Sequence, residues 1–267
     1  MSSKPIGVFD SGVGGLTVSK EIMELLPHEA IVYLGDTARV PYGSKSPETI
    51  TRYAFEGLKF LLSMNVKLVV IACNTVSATC LKELQNNSNV PVIGVIEAGA
   101  RAAVRTTTSK KVGVIGTEMT VKSKAYENAI KEIDSEIMIL SKACPLFVPL
   151  IEEGWLDKEA TYLTIAEYLM PLKKEGIDTL VLGCTHYPLL KPSIARVLGE
   201  EIKLVDCAKE TAIMVKNTLE FQGLLNREGS FNEEIYRYFV TDNPEKFKEI
   251  GERFLNRKIE HIEKVRL

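Results

Sequence analysis

Three observations predict an α/β fold made of two similar parallel-sheet units. Short β-branched or apolar runs alternate with longer amphipathic stretches, the pattern of parallel strands buried between helices. The runs fall into two sets of four with comparable spacing. After the third run of each set comes a cysteine, in KLVVIACNT and in DTLVLGCTH, 111 positions apart. The first runs also correspond, as IGVFDS and VGVIGT, so the chain reads as internally duplicated. Two doubly wound domains related by a pseudo-twofold axis would leave a cleft between them for a site.

In chain order, strands are predicted at 6–9, 31–34, 68–72 and 92–95, then at 112–115, 137–140, 179–182 and 203–205. Ser46 followed by Pro47 reads as an N-cap with proline at the first helical position. Ile50, Tyr53, Ala54, Leu58, Leu61 and Leu62 then share one face. After Asp157, a second amphipathic helix carries Tyr162, Leu163, Ala166, Leu169 and Met170, with Pro171 expected to kink or end it and Gly176 to close the region. From Ala208 the chain is helical, then polar and charged, with strands expected at 236–241 and near 259–265. This tail is expected to return to the first unit, giving domains of 1–97 with 209–267, and 98–208.

Length and composition agree with this organisation. The 267 residues make just under two domains at about 150 residues each. Hydrophobic residues at 45% and charged residues at 25% are those of a folded globular chain. The 33 basic and 35 acidic residues leave a formal charge of −2, without the basic excess that a phosphate backbone demands, so nucleic acid is not expected as a partner. The longest apolar run, at 68–72, is strand-sized and far below the roughly 20 residues of a membrane span. Met1 to Lys4 lead into the first strand with no export signal. The five cysteines are odd in number and contain no C-x-x-C, which points to reduced thiols in the cytoplasm.

Ligands of open parallel sheets bind beyond the carboxyl ends of the strands, where backbone N–H groups and helix amino termini gather. The chemically capable residues fall there: Asp10 and Ser11; Cys73, Asn74 and Thr75; Gly116 and Thr117; Cys184, Thr185 and His186. A thiol at a strand end before a helix can have its pKa lowered by the helix dipole and by hydrogen-bond donors, which makes it a base or nucleophile. Cys80, Cys144 and Cys207 read instead as small buried apolar residues. Cys73 and Cys184, at equivalent places in facing halves, would meet opposite sides of whatever lies between them. That arrangement suits inversion of a carbon centre, with one sulfur removing a proton and the other returning one. His186 could hold a proton near neutral pH, and Asp10 and Glu152 could tune a thiol or orient an ammonium group. The glycines of DSGVGG at 10–15 bring backbone near a ligand but do not form G-x-G-x-x-G, and Walker A, H-E-x-x-H, EF-hand and G-x-S-x-G patterns are absent. A metal held by Cys73, Cys184 and His186 lacks the usual local ligand pair.

Five blocks carry a family resemblance: GVFDSGVGGLTV at 7–18, YLGDTARVPYG at 33–43, ACNTVSA at 72–78, VPLIEEG at 148–154 and GCTHYPLL at 183–190. Through them nearly the whole chain resembles the bacterial glutamate racemases, within the wider amino-acid racemase superfamily. Ser44 and Lys45 depart from the residues common in that family's loop. The resemblance implies a cofactor-independent, two-base interconversion of L- and D-glutamate that supplies peptidoglycan synthesis, with neither pyridoxal phosphate nor metal. It implies that Cys73 deprotonates D-glutamate and Cys184 L-glutamate, assisted by Asp10, Glu152 and His186. Asp10, Ser11, Tyr42, Gly43, Asn74, Thr75, Thr117, Thr185 and His186 match positions that hold the substrate, through neutral donors rather than an arginine clamp. A homodimer is also implied. A racemase of aspartate or another amino acid, and a noncatalytic small-molecule binder, are the competing readings.

Overall fold

Apolar runs, buried on both faces in the central strands and partly exposed at the sheet edges, pair here into two sheets, and among the described residues every ladder is parallel. The computed structural model describes residues 3–228 and 235–267. Met1 and Ser2 of the expected lead-in, and 229–234 of the polar part of the tail, lie outside the described residues. The first sheet is built from β1 (Ile6–Asp10), β2 (Ile31–Gly35), β3 (Leu68–Ile71), β4 (Val92–Gly94), β9 (Tyr236–Val240) and β10 (Ile262–Lys264), in the order β10-β9-β2-β1-β3-β4. The second contains β5 (Lys111–Gly116), β6 (Met138–Ala143), β7 (Thr179–Gly183) and β8 (Lys203–Asp206), in the order β6-β5-β7-β8. Within each half the second strand lies outside the first and the third and fourth follow on its other side. The duplication read from the two cysteine strands therefore extends to topology. The tail returns to the first sheet by adding β9 beside β2.

Helices cover both sheets. Ser46 caps α2 (Pro47–Ser63), its hydroxyl accepting from the Thr49 N–H at 3.3 Å, and Ile50, Ala54, Leu58 and Leu61 are buried as the periodicity predicts. Helix α8 (Glu159–Lys174) departs from expectation in two ways. It runs through Pro171 for a further turn, and the left-handed Gly176 follows its end. A proline there costs one backbone hydrogen bond, and burial of Leu169 and Leu172 on either side holds the turn. Its buried face is Thr161, Ile165, Leu169 and Leu172, whereas Leu163, expected inside, is 65% exposed. The observed face lies one position from the expected one because apolar residues are spread around the helix: Tyr162 and Met170 are half-buried and Leu163 points to solvent.

Two helices carry the chain between the sheets: α4 (Val95–Thr106) leaves β4 and packs on β7 and β8, and α10 (Cys207–Phe221) packs on α4 and on α1 (Leu16–Leu25). The divisions expected at 97/98 and 208/209 lie inside these helices. Beyond α10, the strap of residues 222–228 is fastened by a buried ion pair. Lys67 Nζ lies 2.5 Å from Glu29 Oε2, both side chains being 1% exposed. Lys67 also donates to the Leu224 carbonyl at 2.8 Å, and Glu29 accepts from the Asn226 N–H at 2.8 Å. Among the described residues, no helix is long and apolar enough to cross a membrane.

Candidate active site

The carboxyl ends of β1, β3, β5 and β7 converge on one cavity of about 430 Å³, within the usual range for small-molecule sites. Of the residues singled out in the sequence, Ser11, Tyr42, Gly43, Asn74, Thr75, Thr117, Thr185, Cys73, Cys184, His186 and Glu152 all line it. Asp10 does not; it is fully buried behind the cavity wall. The wall is completed by Pro145, Val148 and Pro149, the last two from α7 (Phe147–Glu152), so an apolar surface faces the polar strand ends. Neither lysine nor arginine is among its described lining residues, so a carboxylate entering here would meet hydroxyl, amide and backbone donors, with the His186 ring, paired to Glu152, as the cationic group in the wall.

The two cysteines have unlike surroundings. Cys73 is the N-cap of α3 (Asn74–Asn86), and its thiol donates to Ser11 Oγ at 3.5 Å. The lowered pKa expected from the helix is not found. Burial first, and then the Asp10 carboxylate, push this thiol up to about 12, against the opposing Ser11 and Val76 hydrogen bonds. Cys184 follows β7 and precedes a 3₁₀ turn, Tyr187–Leu190, so the second cysteine, unlike the first, is not the N-cap of an α-helix. Its sulfur instead lies 4.0 Å from His186 Nδ1, and His186 Nε2 is 3.0 Å from Glu152 Oε1. Burial alone would depress the imidazole; its contacts with Cys184 and Glu152 outweigh that and raise it to about 10. Burial likewise opposes ionisation of Glu152, and His186 overrides it to hold the carboxylate below its ordinary range. A charged imidazolium–carboxylate couple thus stands beside Cys184, whereas a neutral hydroxyl and a buried acid stand beside Cys73.

Asp10 shapes the turn from within. Its Oδ2 accepts from the Gly12 N–H at 2.9 Å, while Oδ1 has no hydrogen-bond partner among the described residues. Burial raises its pKa, opposed by the Gly12 N–H, the charge of His186 and the Gly15 and Ser11 N–H groups. Gly14 brings this turn against the other half: Thr17 Oγ1 donates to the Thr185 carbonyl at 3.0 Å, and a Cβ on Gly14 would sit 2.6 Å from His186 Cε1 and closer still to His186 Nδ1 and Thr185 Oγ1. On the other side of the cleft, Thr75, Thr117 and Thr120 form a hydroxyl cluster with Oγ1–Oγ1 separations of 2.9 Å for Thr75–Thr117 and 3.0 Å for Thr117–Thr120. Tyr42 donates to Asp36, which also accepts from Arg39 Nε at 2.6 Å and Thr241 Oγ1 at 2.8 Å. Thr120, Asp36 and Arg39 are additions to the residues expected from sequence; Asp36 and Arg39 fall within the YLGDTARVPYG block, which carries their signal, and Thr120 has none. Among the described residues, no three His, Cys, Asp or Glu side chains gather as a metal-ligand cluster.

This geometry can be set beside known proteins. Residues 6–215 match the family model described as Asp/Glu/Hydantoin racemase. The chain belongs to that family. A glutamate racemase of Geobacter metallireducens is 54% identical over 267 residues, all of this chain and 98% of its own length. Among solved structures, the glutamate racemase of Francisella tularensis in complex with D-glutamate superposes with a TM-score of 0.93 at 42% identity, covering 100% of this chain and 98% of that one. A glutamate racemase isoform of Bacillus anthracis gives 0.94 at 42% identity, with 100% and 99% covered. Membership makes the chain an amino-acid racemase, an isomerase, and the paired-sheet architecture is that of these relatives.

Proposed function

We propose that this racemase interconverts L- and D-glutamate by two-base proton transfer, with Cys184 acting on the α-hydrogen of L-glutamate and Cys73 on that of D-glutamate. The observation that carries the reading is the arrival of two buried thiols in one cavity from corresponding strand ends of two different sheets. In the forward direction the Cys184 thiolate takes the α-proton from one face. The Cys73 thiol, kept protonated by its burial, delivers its proton to the other face. The roles then exchange for the reverse reaction. The imidazolium of His186, oriented by Glu152, balances the charge on Cys184; Asp10 holds the Ser11–Gly12 turn.

Ser11, Asn74, Thr75, Thr117 and Thr185 supply donors to the carboxylates, joined by the backbone N–H groups of Tyr42, whose phenol is committed to Asp36, and Gly43. Neutral donors spare the ground state the stabilisation an arginine would bring, and the closed, oriented site supports the carbanionic transition state electrostatically. No electron-sink cofactor enters this scheme. The bodies proposed to close over the substrate are 1–97 with 209–267, and 98–208; D-glutamate for peptidoglycan is the proposed product, made in the cytoplasm by a homodimer.

The test compares L-glutamate with L-aspartate and the unmutated protein with Cys73→Ala and Cys184→Ala. Turnover of glutamate, lost in each variant while the thermal midpoint is kept, is the expected result. Preference for aspartate rejects the substrate, and a fully active single variant rejects the two-base assignment.

A further inference from the structure

Beyond the residues that line the cavity, one buried phenol joins the two halves at the site. Tyr126 lies on α6 (Ala125–Ile133) of the second half and is 2% exposed. Its hydroxyl donates to Oδ1 of Asn74, in the first half, at 2.6 Å, and lies 3.0 Å from the Cys207 sulfur. A core tyrosine needs one partner; this one has two, from separate elements. Space for it is made by two glycines. A Cβ on Gly183 would come within 3.0 Å of Tyr126 Cε2, and one on Gly99 within 3.0 Å of Cε1 and 2.5 Å of Cys207 Sγ. Gly183 immediately precedes Cys184, and Asn74 immediately follows Cys73. The ring therefore stands between the two turns that present the thiols.

Hydrogen counting fixes the direction of the chain of bonds. The phenol has one hydrogen, given to the Asn74 carbonyl oxygen, so toward Cys207 its own oxygen is left to accept; the thiol also reaches the Leu182 carbonyl at 3.9 Å, but its contact with the phenol at 3.0 Å is the shorter. Cys207 keeps its own hydrogen, because burial pushes its pKa up to about 12. We propose that Tyr126, anchored by Cys207, is a positioning residue that holds the Asn74 amide with Nδ2 facing the cavity as a donor to the substrate carboxylate. Left free, the amide has both orientations open to it, and the one with its oxygen to the cavity, which a carboxylate repels, must be turned back when substrate binds. This inference rests on the glutamate racemase reading above and deepens it.

The test is Tyr126→Phe, which keeps the ring in its glycine cradle. KM for both enantiomers is expected to rise about tenfold, the usual weight of one buried hydrogen bond, with kcat within about threefold. Asn74→Ala should raise KM alone, and Tyr126→Phe added to it should raise KM no further. A merely structural role would lower the thermal midpoint, leave the KM-to-kcat split unmoved and add to Asn74→Ala. A second measurement needs no variant fold: the Asn74 side-chain amide resonances, assigned by their loss in Asn74→Ala, should shift in the unmutated protein on addition of D-glutamate. Unmoved resonances, an unchanged KM or additive effects overturn the proposal while glutamate turnover by the unmutated protein stands. Absence of that turnover overturns the functional reading and this proposal with it.

Discussion

Gly14→Ala isolates the contact between the two halves at the cleft. The backbone at Gly14 is not among the glycines with positive φ, so alanine is conformationally permitted and only the added methyl matters. That methyl would fall 2.6 Å from His186 Cε1, with Nδ1 and Thr185 Oγ1 nearer still. Ordinary carbon contacts begin near 3.5 Å, so the turn and the imidazole must part by about 1 Å. Neither side can yield alone: His186 is fixed by Glu152 at 3.0 Å, and the Gly14 turn is tied by Thr17 to the Thr185 carbonyl. A displacement of about 1 Å in a catalytic arrangement costs roughly 10²-fold in rate, near 2.7 kcal/mol of transition-state stabilisation. Overpacking typically costs a fold about 1–3 kcal/mol, and opening of the cleft relieves part of it. Racemisation followed by polarimetry, with thermal unfolding in parallel, should show kcat/KM down about 10²-fold in both directions with a folded protein. Unchanged kcat/KM would refute the claim that the Gly14 approach sets the position of His186.

Two further outcomes follow from burial and charge. Lys67→Met leaves Glu29 charged and buried and should destabilise by about 3–5 kcal/mol in urea denaturation, while adding Glu29→Leu should recover most of the loss; equal loss in single and double variants contradicts this. Alkaline stability depends on buried groups whose folded pKa is raised by burial: the thiols, to about 12 for Cys73, Cys144 and Cys207 and about 11 for Cys80, from 9.0, and the phenols of Tyr33, Tyr42, Tyr126 and Tyr187, raised above 10.0. The thiols' contribution is complete below pH 9 and is lost as pH rises toward 11 and 12, because the unfolded chain releases these protons first. Each group removes up to about 1.4 kcal/mol per pH unit in that window, so the thermal midpoint should fall steeply above pH 9 and less steeply in Cys144→Ala; a flat profile contradicts it.

Much of the architecture was legible because it is written in local patterns. β1, β2, β3 and β7 are nearly continuous apolar runs, and Ser46-Pro47 announces α2 through capping chemistry alone. Helix α8 differs from expectation in its face because its apolar residues spread over more than one stripe, and only packing against the sheet selects Ile165 and Leu172; Pro171 does not end it, and Gly176 closes the region as expected. At the site, strand-end placement located the thiols and their hydroxyl neighbours. It could not foresee that burial beside Asp10 would raise the Cys73 pKa, since the helix dipole is a local feature and desolvation is a tertiary one. Nor could it find Tyr126, whose partners Asn74 and Cys207 are 52 and 81 positions away. Such contacts leave no periodicity to read.

The opposed action of two thiols is tested most directly by racemising L-glutamate in deuterated water and reading α-deuterium in both enantiomers at early times. The account predicts that D-glutamate appears fully labelled while the remaining L-glutamate stays unlabelled, because the acid that completes inversion is not the base that began it. Label entering L-glutamate as fast as D-glutamate, or an inverted product that retains its original hydrogen, would contradict it.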